Sequence, residues 1–377
     1  MENRALADWR EEIAAFVGGP GRRFGEEIEQ SGRVPDEARR ALRERGYLRL
    51  TAPRAYGGMG MPFTDYLELL ALFSRMHGSL RVMAHVANGI WRSVDRRADE
   101  EQRERFVKPL VRGEHTVTFT LTEPNSGSGT DIRTVARRDG GEYIVNGEKW
   151  MIVFADTADY FLLFGRLEGT AGGEGTLALL VPRAAPGLEI RPMAPAMGVA
   201  GTVCGHLALR DCRVPAANRL GAEGDGLDVA FAGFLDPSRI AVGMTCVGLA
   251  ERALELSIAR ARARVTFGRA LAERQTIRMR LAEMAVDIAS ARELCLHAAR
   301  EFDAGKPVGT LAAMAKLHGT GMLQRVTDLA LQIHGGGGYV RGGEIERIYR
   351  DARMQRFEEG TAEIQKMVIA REYLARA

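Results

Sequence analysis

The spacing of apolar residues changes twice along this chain, so the chain cannot fold into one uniform layer of helices or strands. From residue 1 to about 115 the recurrence is helical, with breaks at Gly18-Gly19-Pro20-Gly21, Ser31-Gly32, Pro53 and Gly57-Gly58-Met59-Gly60. Pro35 and Gly46 bracket one short helix, proline in front and glycine behind. Tyr66, Leu69, Leu70 and Phe73 share one side of another, over 64–76. At Thr116 the period falls to two: Val117, Phe119 and Leu121 alternate with Thr118, Thr120 and Thr122, the pattern of a half-buried strand. Segments 142–145 and 149–154 flank Asn146-Gly147, which predicts a hairpin. Further strands are predicted at 160–166, 176–181, 188–191 and 205–210.

Past the glycine-rich stretch 221–226 the helical period returns. Helices are predicted at about 225–263, 271–303 and 309–333, the second about 50 Å long. Ile277, Leu281, Met284, Ile288 and Cys295, with Ala291 in the gap, form its packing seam. The expected fold class is a multidomain α+β protein: an N-terminal all-α domain (1–115), a central small β-barrel or sandwich (116–222) and a C-terminal four-helix bundle (223–377).

With 377 residues, 46% of them hydrophobic and 27% charged, the chain is long enough for two or three buried cores. Its 52 Lys and Arg are interleaved with 49 Asp and Glu for a net charge of +3, which leaves no basic tract for nucleic acid. Cys204, Cys212, Cys246 and Cys295 match neither a zinc spacing nor a disulfide framework and read as reduced thiols. Glu2, Asp8, Glu11 and Glu12 argue against a secretory or transit leader. No apolar run approaches the roughly 18 residues that span a bilayer. The expectation is a cytoplasmic protein with no metal site and no membrane insertion.

Near the C-terminus, Glu358-Glu359-Gly360-Thr361 precedes a run, 362–370, with Ile364, Met367 and Val368 at helical spacing. An acidic pair at a helix start can complement the helix dipole or act as a base. Thr361 there can bond the first free N–H groups or a ligand. The longer segment, Tyr349-Arg350-Asp351-Ala352 followed by Glu359-Gly360-Thr361-Ala362-Glu363-Ile364-Gln365, closely resembles the C-terminal signature of the acyl-CoA dehydrogenase family. The resemblance makes Glu359 the base that removes a substrate proton, and places Gly360 at the substrate and Thr361 and Glu363 at the cofactor.

Four further motifs, in the family's order, extend the resemblance over residues 5–375. Phe119-Thr120-Leu121-Thr122-Glu123-Pro124, with Gly127-Ser128, is similar to the family's flavin-contacting strand end; it implies cofactor contacts at Phe119, Leu121 and Thr122, and contacts to flavin and thioester at Ser128. The family has Asp directly after that Ser, whereas here Gly129 and Thr130 precede Asp131. Gly147-Glu148-Lys149-Trp150-Met151-Ile152-Val153 matches the strand that lines the flavin, but Met151 replaces an aromatic residue and Val153 a hydroxyl near flavin N5. Trp150, one position early, points to the opposite face unless a bulge re-aims it.

Asp236 and Arg239, three apart on one helical face, form an ion pair on spacing alone; in the family these positions contact the substrate arm and the active-site loop. Some relatives carry their base just before that arginine, where this chain has Ser238. Arg264-Val265-Thr266-Phe267-Gly268 with Gln275 matches a segment that reaches a neighbouring subunit's flavin nucleotide. Gln332, Gly335 and Gly336 match a segment that binds the adenosine side of the same nucleotide.

The resemblance implies FAD held without a Rossmann domain, a homo-oligomer that is a tetramer, and electron-transferring flavoprotein as acceptor. It implies α,β-desaturation of an acyl thioester, with Glu359 taking the α-proton and flavin N5 the β-hydride. Substrate exclusion of water should raise the Glu359 pKa, and Glu358 should raise it further or face solvent. The acyl pocket is expected among Phe73, Met76, Val82, Met83 and Phe234. Two alternatives stay open: a flavin oxidase or carrier-protein-bound acyl dehydrogenase on the same scaffold, and a non-catalytic binding subunit.

Overall fold

The computed structural model describes residues 4–126 and 129–375. The N-terminal part is helical: Leu6–Gly18, Pro20–Ser31, Asp36–Glu44, Phe63–Phe73, Gly78–Asp95 and short turns up to Lys108–Arg112. Gly32 caps the second helix in the left-handed conformation, as a glycine there can at no steric cost. Ile13, Phe16, Phe24, Tyr47 and Phe73 are buried together with Ile240, Met244 and Val247 of the C-terminal part, so the two helical regions share one apolar core. The contact is close because Gly248 has no side chain: a Cβ there would lie 2.1 Å from the Ala71 carbonyl oxygen.

The middle part is one seven-stranded sheet: β1 (Val117–Thr120), β2 (Val135–Asp139), β3 (Glu142–Val153), β4 (Tyr160–Leu167), β5 (Thr176–Pro182), β6 (Leu188–Pro192) and β7 (Cys204–Pro215). The order is β1-β4-β2-β3-β7-β6, with β5 paired to β4. Phe161 and Leu163 of β4 pack with Tyr143, Leu179 and Leu207 in a core made by the sheet itself, the packing of a barrel. Leu162 and Phe164, on the opposite face, pack with Ile90, Val94 and Phe234 of the helices.

The hairpin predicted at Asn146-Gly147 is overturned. β3 runs straight through it, and the turn lies earlier, at Gly140-Gly141, where β2, absent from the sequence reading, pairs with β3. Asn146 donates to Asp211 Oδ1 (3.1 Å) and accepts from the Asp211 N–H (2.8 Å), which converts the Asn-Gly pair into a bulge opposite β7. Gly147 is required there, since a Cβ would lie 2.6 Å from Thr134 Oγ1.

The C-terminal part has three long helices: a first (Asp236–Ala263), a second (Gln275–Asp303) and a third (Gly309–His334). The predicted start at 225 is broken: Gly226–Ala230 is followed by a π-helical turn, Phe231–Leu235, because Pro237 has no N–H to continue the α-helical ladder. The second helix has 29 residues and is about 43 Å long, its first predicted turn being 3-10. The first and third helices run parallel: a Cβ on Gly243 would meet Ala315, and Arg260 donates to the His334 carbonyl at the other end. Helices Glu344–Met354 and Ala362–Ala375 complete the bundle against the third. Among the described residues no helix is long and apolar enough to cross a membrane.

Candidate active site

Glu359 sits at the N-terminal ends of the first and third bundle helices. Its φ is +52° and that of Gly360 is +90°, a left-handed step that strains a glutamate by about 1–3 kcal/mol. The surrounding helices hold the step in place. The Glu359 carbonyl accepts from Arg239 Nε (3.2 Å) and Gln365 Nε2 (3.0 Å), and the Gly360 carbonyl accepts from Gln365 Nε2 (3.0 Å) and Lys316 Nζ. The strain therefore aims the carboxylate inward, where its side chain is only 13% exposed.

The Ser238 hydroxyl donates to Glu359 Oε1 at 2.6 Å, and His85 Nε2 lies 2.7 Å from Ser238 Oγ and 3.6 Å from Glu359 Oε1. A serine has one proton to give. With that proton on the carboxylate, His85 Nε2 must be the donor to Ser238. Burial pushes the Glu359 pKa up, but His85, the Ser238 hydroxyl and the Lys316 ammonium outweigh it and hold the carboxyl below the ordinary range. Ser238, which stands where some relatives carry a base, is here a hydrogen-bond donor to the base.

Glu358 neither faces solvent nor acts as a bare second charge beside Glu359, contrary to both sequence expectations. It turns onto Arg81 of the Gly78–Asp95 helix at 3.4 Å, with Arg81 itself 1% exposed. With its amide turned so that the oxygen faces Arg81, Gln355 joins the pair, accepting from Arg81 at 2.8 Å and donating to Glu358. The expected acyl-pocket residues also need correction. Phe73 packs on Tyr47 (ring centroids 5.2 Å apart) in the N-terminal core, and Met76 lies against Gly21. Phe234 does reach the site, edge-on to His85 at 6.2 Å and stacked on Phe119 at 4.9 Å.

Asp236 and Arg239 are paired at 2.9 Å. Burial pushes the Asp236 carboxyl up and the Arg239 guanidinium down, and each partner works against the shift. The rest of the signature is a latch. Arg350 bonds Glu346 and Glu29, while buried Asp351 accepts from the Val199 N–H at 2.6 Å, tying an N-terminal helix and a middle-domain loop to the segment that carries Glu359.

On the sheet, Glu123 and Lys149 form a buried ion pair at 2.9 Å, 4% and 0% exposed. Glu123 also accepts from the N–H groups of Arg133 and Thr134, and Lys149 donates to the Leu121 carbonyl at 2.9 Å. Burial lowers the Lys149 pKa to about 8. This network fixes the strand end of Phe119, Leu121 and Thr122. Ser128 lies outside the described residues.

Next to it β3 carries a second bulge, with Met151 at φ +55° and the Trp150 N–H donating to the Thr122 carbonyl at 2.8 Å. The bulge re-aims Trp150, so that Trp150 and Met151 are both exposed, while Ile152 is buried and only its backbone can face a ligand. Val153 offers no hydroxyl; its carbonyl accepts from Thr118 Oγ1 at 2.8 Å. Exposed apolar side chains on a braced strand edge fit one face of a flat ring system such as a flavin.

The remaining positions divide between the two ends of the bundle. Thr361 stays beside Glu359, and its hydroxyl bonds Glu363, whose carboxyl is held low first by its own N–H and then by Thr361. Arg264, Thr266, Phe267, Gln275, Gln332, Gly335 and Gly336 lie at the far ends of the first and third helices, the first being 28 residues and so about 42 Å long. Phe267, at φ +50° on the tip of a two-stranded turn, is 96% exposed. The sequence reading missed Arg81, His85 and Lys316; the only signal was a polar stripe at helical spacing, Arg81, His85, Asn88 and Arg92, in a helix whose other residues are largely apolar.

Residues 4–114, 118–212 and 224–374 match the N-terminal, middle and C-terminal domains of acyl-CoA dehydrogenase. Acryloyl-CoA reductase (NADH) of Anaerotignum propionicum is 36% identical over 354 residues, 93% of this chain and 90% of that protein. The structure of butyryl-CoA dehydrogenase from Megasphaera elsdenii superposes with a TM-score of 0.93 at 29% identity, covering 99% of this chain and 100% of that one. An acyl-CoA dehydrogenase complexed with FAD from Bacillus anthracis superposes with a TM-score of 0.89 at 29% identity, covering 98% of this chain and 67% of that one.

Proposed function

The chain belongs to the acyl-CoA dehydrogenase family, FAD-dependent oxidoreductases of acyl-CoA CH–CH bonds, and from that premise we propose that Glu359 is its catalytic base. The observation that carries the reading is the carboxylate held inward on a left-handed step by Arg239 and Gln365 while Ser238 donates to it. A carboxylate so placed takes the α-proton of the acyl thioester. Among the described residues no acceptor takes the Glu359 N–H, which leaves it to bond the thioester carbonyl and stabilise the developing enolate. FAD supplies the acceptor for the β-hydride.

Thr122, Met151, Ile152 and Val153 would hold the flavin ring of one chain by backbone and side chain, together with Trp150. Arg264, with its charged fork suited to a pyrophosphate, and Gln275, Gln332, Gly335 and Gly336 would serve the nucleotide of a neighbouring chain. The separation of these two groups along the bundle and the exposure of Phe267 support a homo-oligomer, which we take to be a tetramer. The physiological acceptor is electron-transferring flavoprotein, and the four free cysteines fit a reducing cytoplasm.

The test is anaerobic titration of the yellow protein with short, medium and branched acyl-CoA thioesters. Bleaching of the flavin absorbance by one class is expected. Glu359→Gln should retain FAD and lose bleaching by about 10²–10⁴-fold in rate; an active Glu359→Gln protein removes the assignment. Turnover in air without an added acceptor would instead identify an oxidase.

A further inference from the structure

Access to the base stops within one layer of side chains. The Glu359 and Glu358 side chains are 13% and 12% exposed, whereas those of His85 and Arg81, which lie against them from the Gly78–Asp95 helix, are 3% and 2% exposed. Arg81 and His85 stand one turn apart on one face of that helix. Arg81 meets Glu358 at 3.4 Å, and His85 reaches Glu359 through Ser238.

The next layer is closed as well. Phe234 is buried, so near the same helix that a Cβ on Gly89 would lie 2.8 Å from its ring. From the first bundle helix Thr245 and Cys246 have no accessible surface, and Cys246 is near enough to feel the charges of both Glu358 and Arg81. Arg81 is among the largest fully buried side chains of the molecule. Its volume, held by Glu358 and by the turned amide of buried Gln355, makes a wall next to the base.

On the reading that Glu359 takes the substrate α-proton, the acyl carbons beyond the reacting pair meet this wall. We propose that Arg81 and Glu358 set the length of the acyl group, and that the substrate is a short, uncharged acyl thioester. Consecutive Cα atoms stand about 3.8 Å apart, so a wall anchored on the residue beside the base leaves room for about two carbons past the β-carbon. A longer apolar chain would have to displace a buried, hydrogen-bonded ion pair, and breaking such a pair is strongly unfavourable. A chain ending in a carboxylate would bring a third negative charge beside Glu358 and Glu359, with the Arg81 charge already matched.

The experiment measures kcat/KM for straight-chain C4, C6, C8 and C10 acyl-CoA thioesters and for a carboxylate-ended C5 thioester, with an artificial electron acceptor. C4 should exceed C8 by at least about tenfold, since even one methylene in a shaped apolar site is worth about that factor. Arg81→Ala/Glu358→Ala, which removes both charges and their volume together, should raise the C8-to-C4 ratio about tenfold or more. Arg81→Met/Glu358→Leu removes the charges but keeps most of the volume, and should raise that ratio less. Retained FAD absorbance certifies the fold of each variant, and the parent profile tests the proposal without any variant. A parent enzyme that uses C8 or the carboxylate-ended thioester as well as C4 overturns the proposal, as does a flavin-retaining alanine pair with the parent ratio. Absence of bleaching by every thioester would instead overturn the assignment of Glu359, and the length assignment with it.

Discussion

The two ends of the first and third bundle helices are built on opposite principles. At the N-terminal end Arg239, Lys316 and Arg81 are buried and Asp236, Glu358 and Glu359 half-buried, three cations matched to three anions, all from one chain. At the C-terminal end the conspicuous groups are apolar and bare: Phe267 is 96% and Tyr339 84% exposed, with Val265, Met279 and Val340 also exposed nearby. Burying a charge without a partner is costly, so the first end had to be completed within the chain. Exposed aromatic groups at a tip gain only by meeting another surface, which fits the proposed homo-oligomer.

The sharpest way to break this comparison is at the far end. Arg264→Ala with Phe267→Asp should convert the oligomer to smaller species by light scattering and reduce retained FAD per chain by tenfold or more after dialysis. Unchanged mass and flavin content would mean that the far end is ordinary surface.

The next effect in size is at the sheet. Lys149→Met leaves Glu123 buried without its cation and should cost about 3–5 kcal/mol in denaturant unfolding. Smaller, and diagnostic of the near end, is Lys316→Met, which removes a charged donor from the Gly360 carbonyl and should cost about 1.5–3 kcal/mol.

The pH dependence sharpens the same end. Because His85, Ser238 and Lys316 hold Glu359 below the ordinary carboxylate range, the base form persists in acid, and the acid limb of kcat/KM should fall below that range. Ser238→Ala or His85→Gln should move that limb upward; an unmoved limb would separate these groups from the base. The smallest effect concerns the latch. Glu29, bonded first by His77 and then by Arg350, has its pKa lowered from 4.5 to about 2. Its folded value is depressed, so its contribution is present above pH 4.5 and fades as pH falls toward 2. Glu29→Gln should flatten the stability profile in that window.

Comparison of particular elements shows how far the sequence could be read. Of the seam, Ile277, Met284, Ile288, Ala291 and Cys295 are buried and Leu281 is half-buried against the same core, since periodicity reports which face of a helix leaves water. The Asn-Gly pair misled because a local turn preference competes with pairing to a strand more than 60 residues away, where Asn146 meets Asp211. Glu359 was legible as a glutamate before Gly-Thr in a familiar signature. Arg81 was not, because nothing near it in the chain reveals a carboxylate 277 positions later.

By itself, then, the sequence determined the helical, β and helical order of the chain, the faces its helices bury and the segment that carries the acidic pair. These follow from local spacing and backbone chemistry. Only the tertiary structure decided that Ser238 donates to Glu359 across 121 positions, that Glu358 turns inward onto Arg81, and that the two halves of the expected cofactor site stand at opposite ends of the bundle. Those contacts depend on how whole helices pack against one another, and burial without a partner is so costly that packing, not local preference, selects which charges meet.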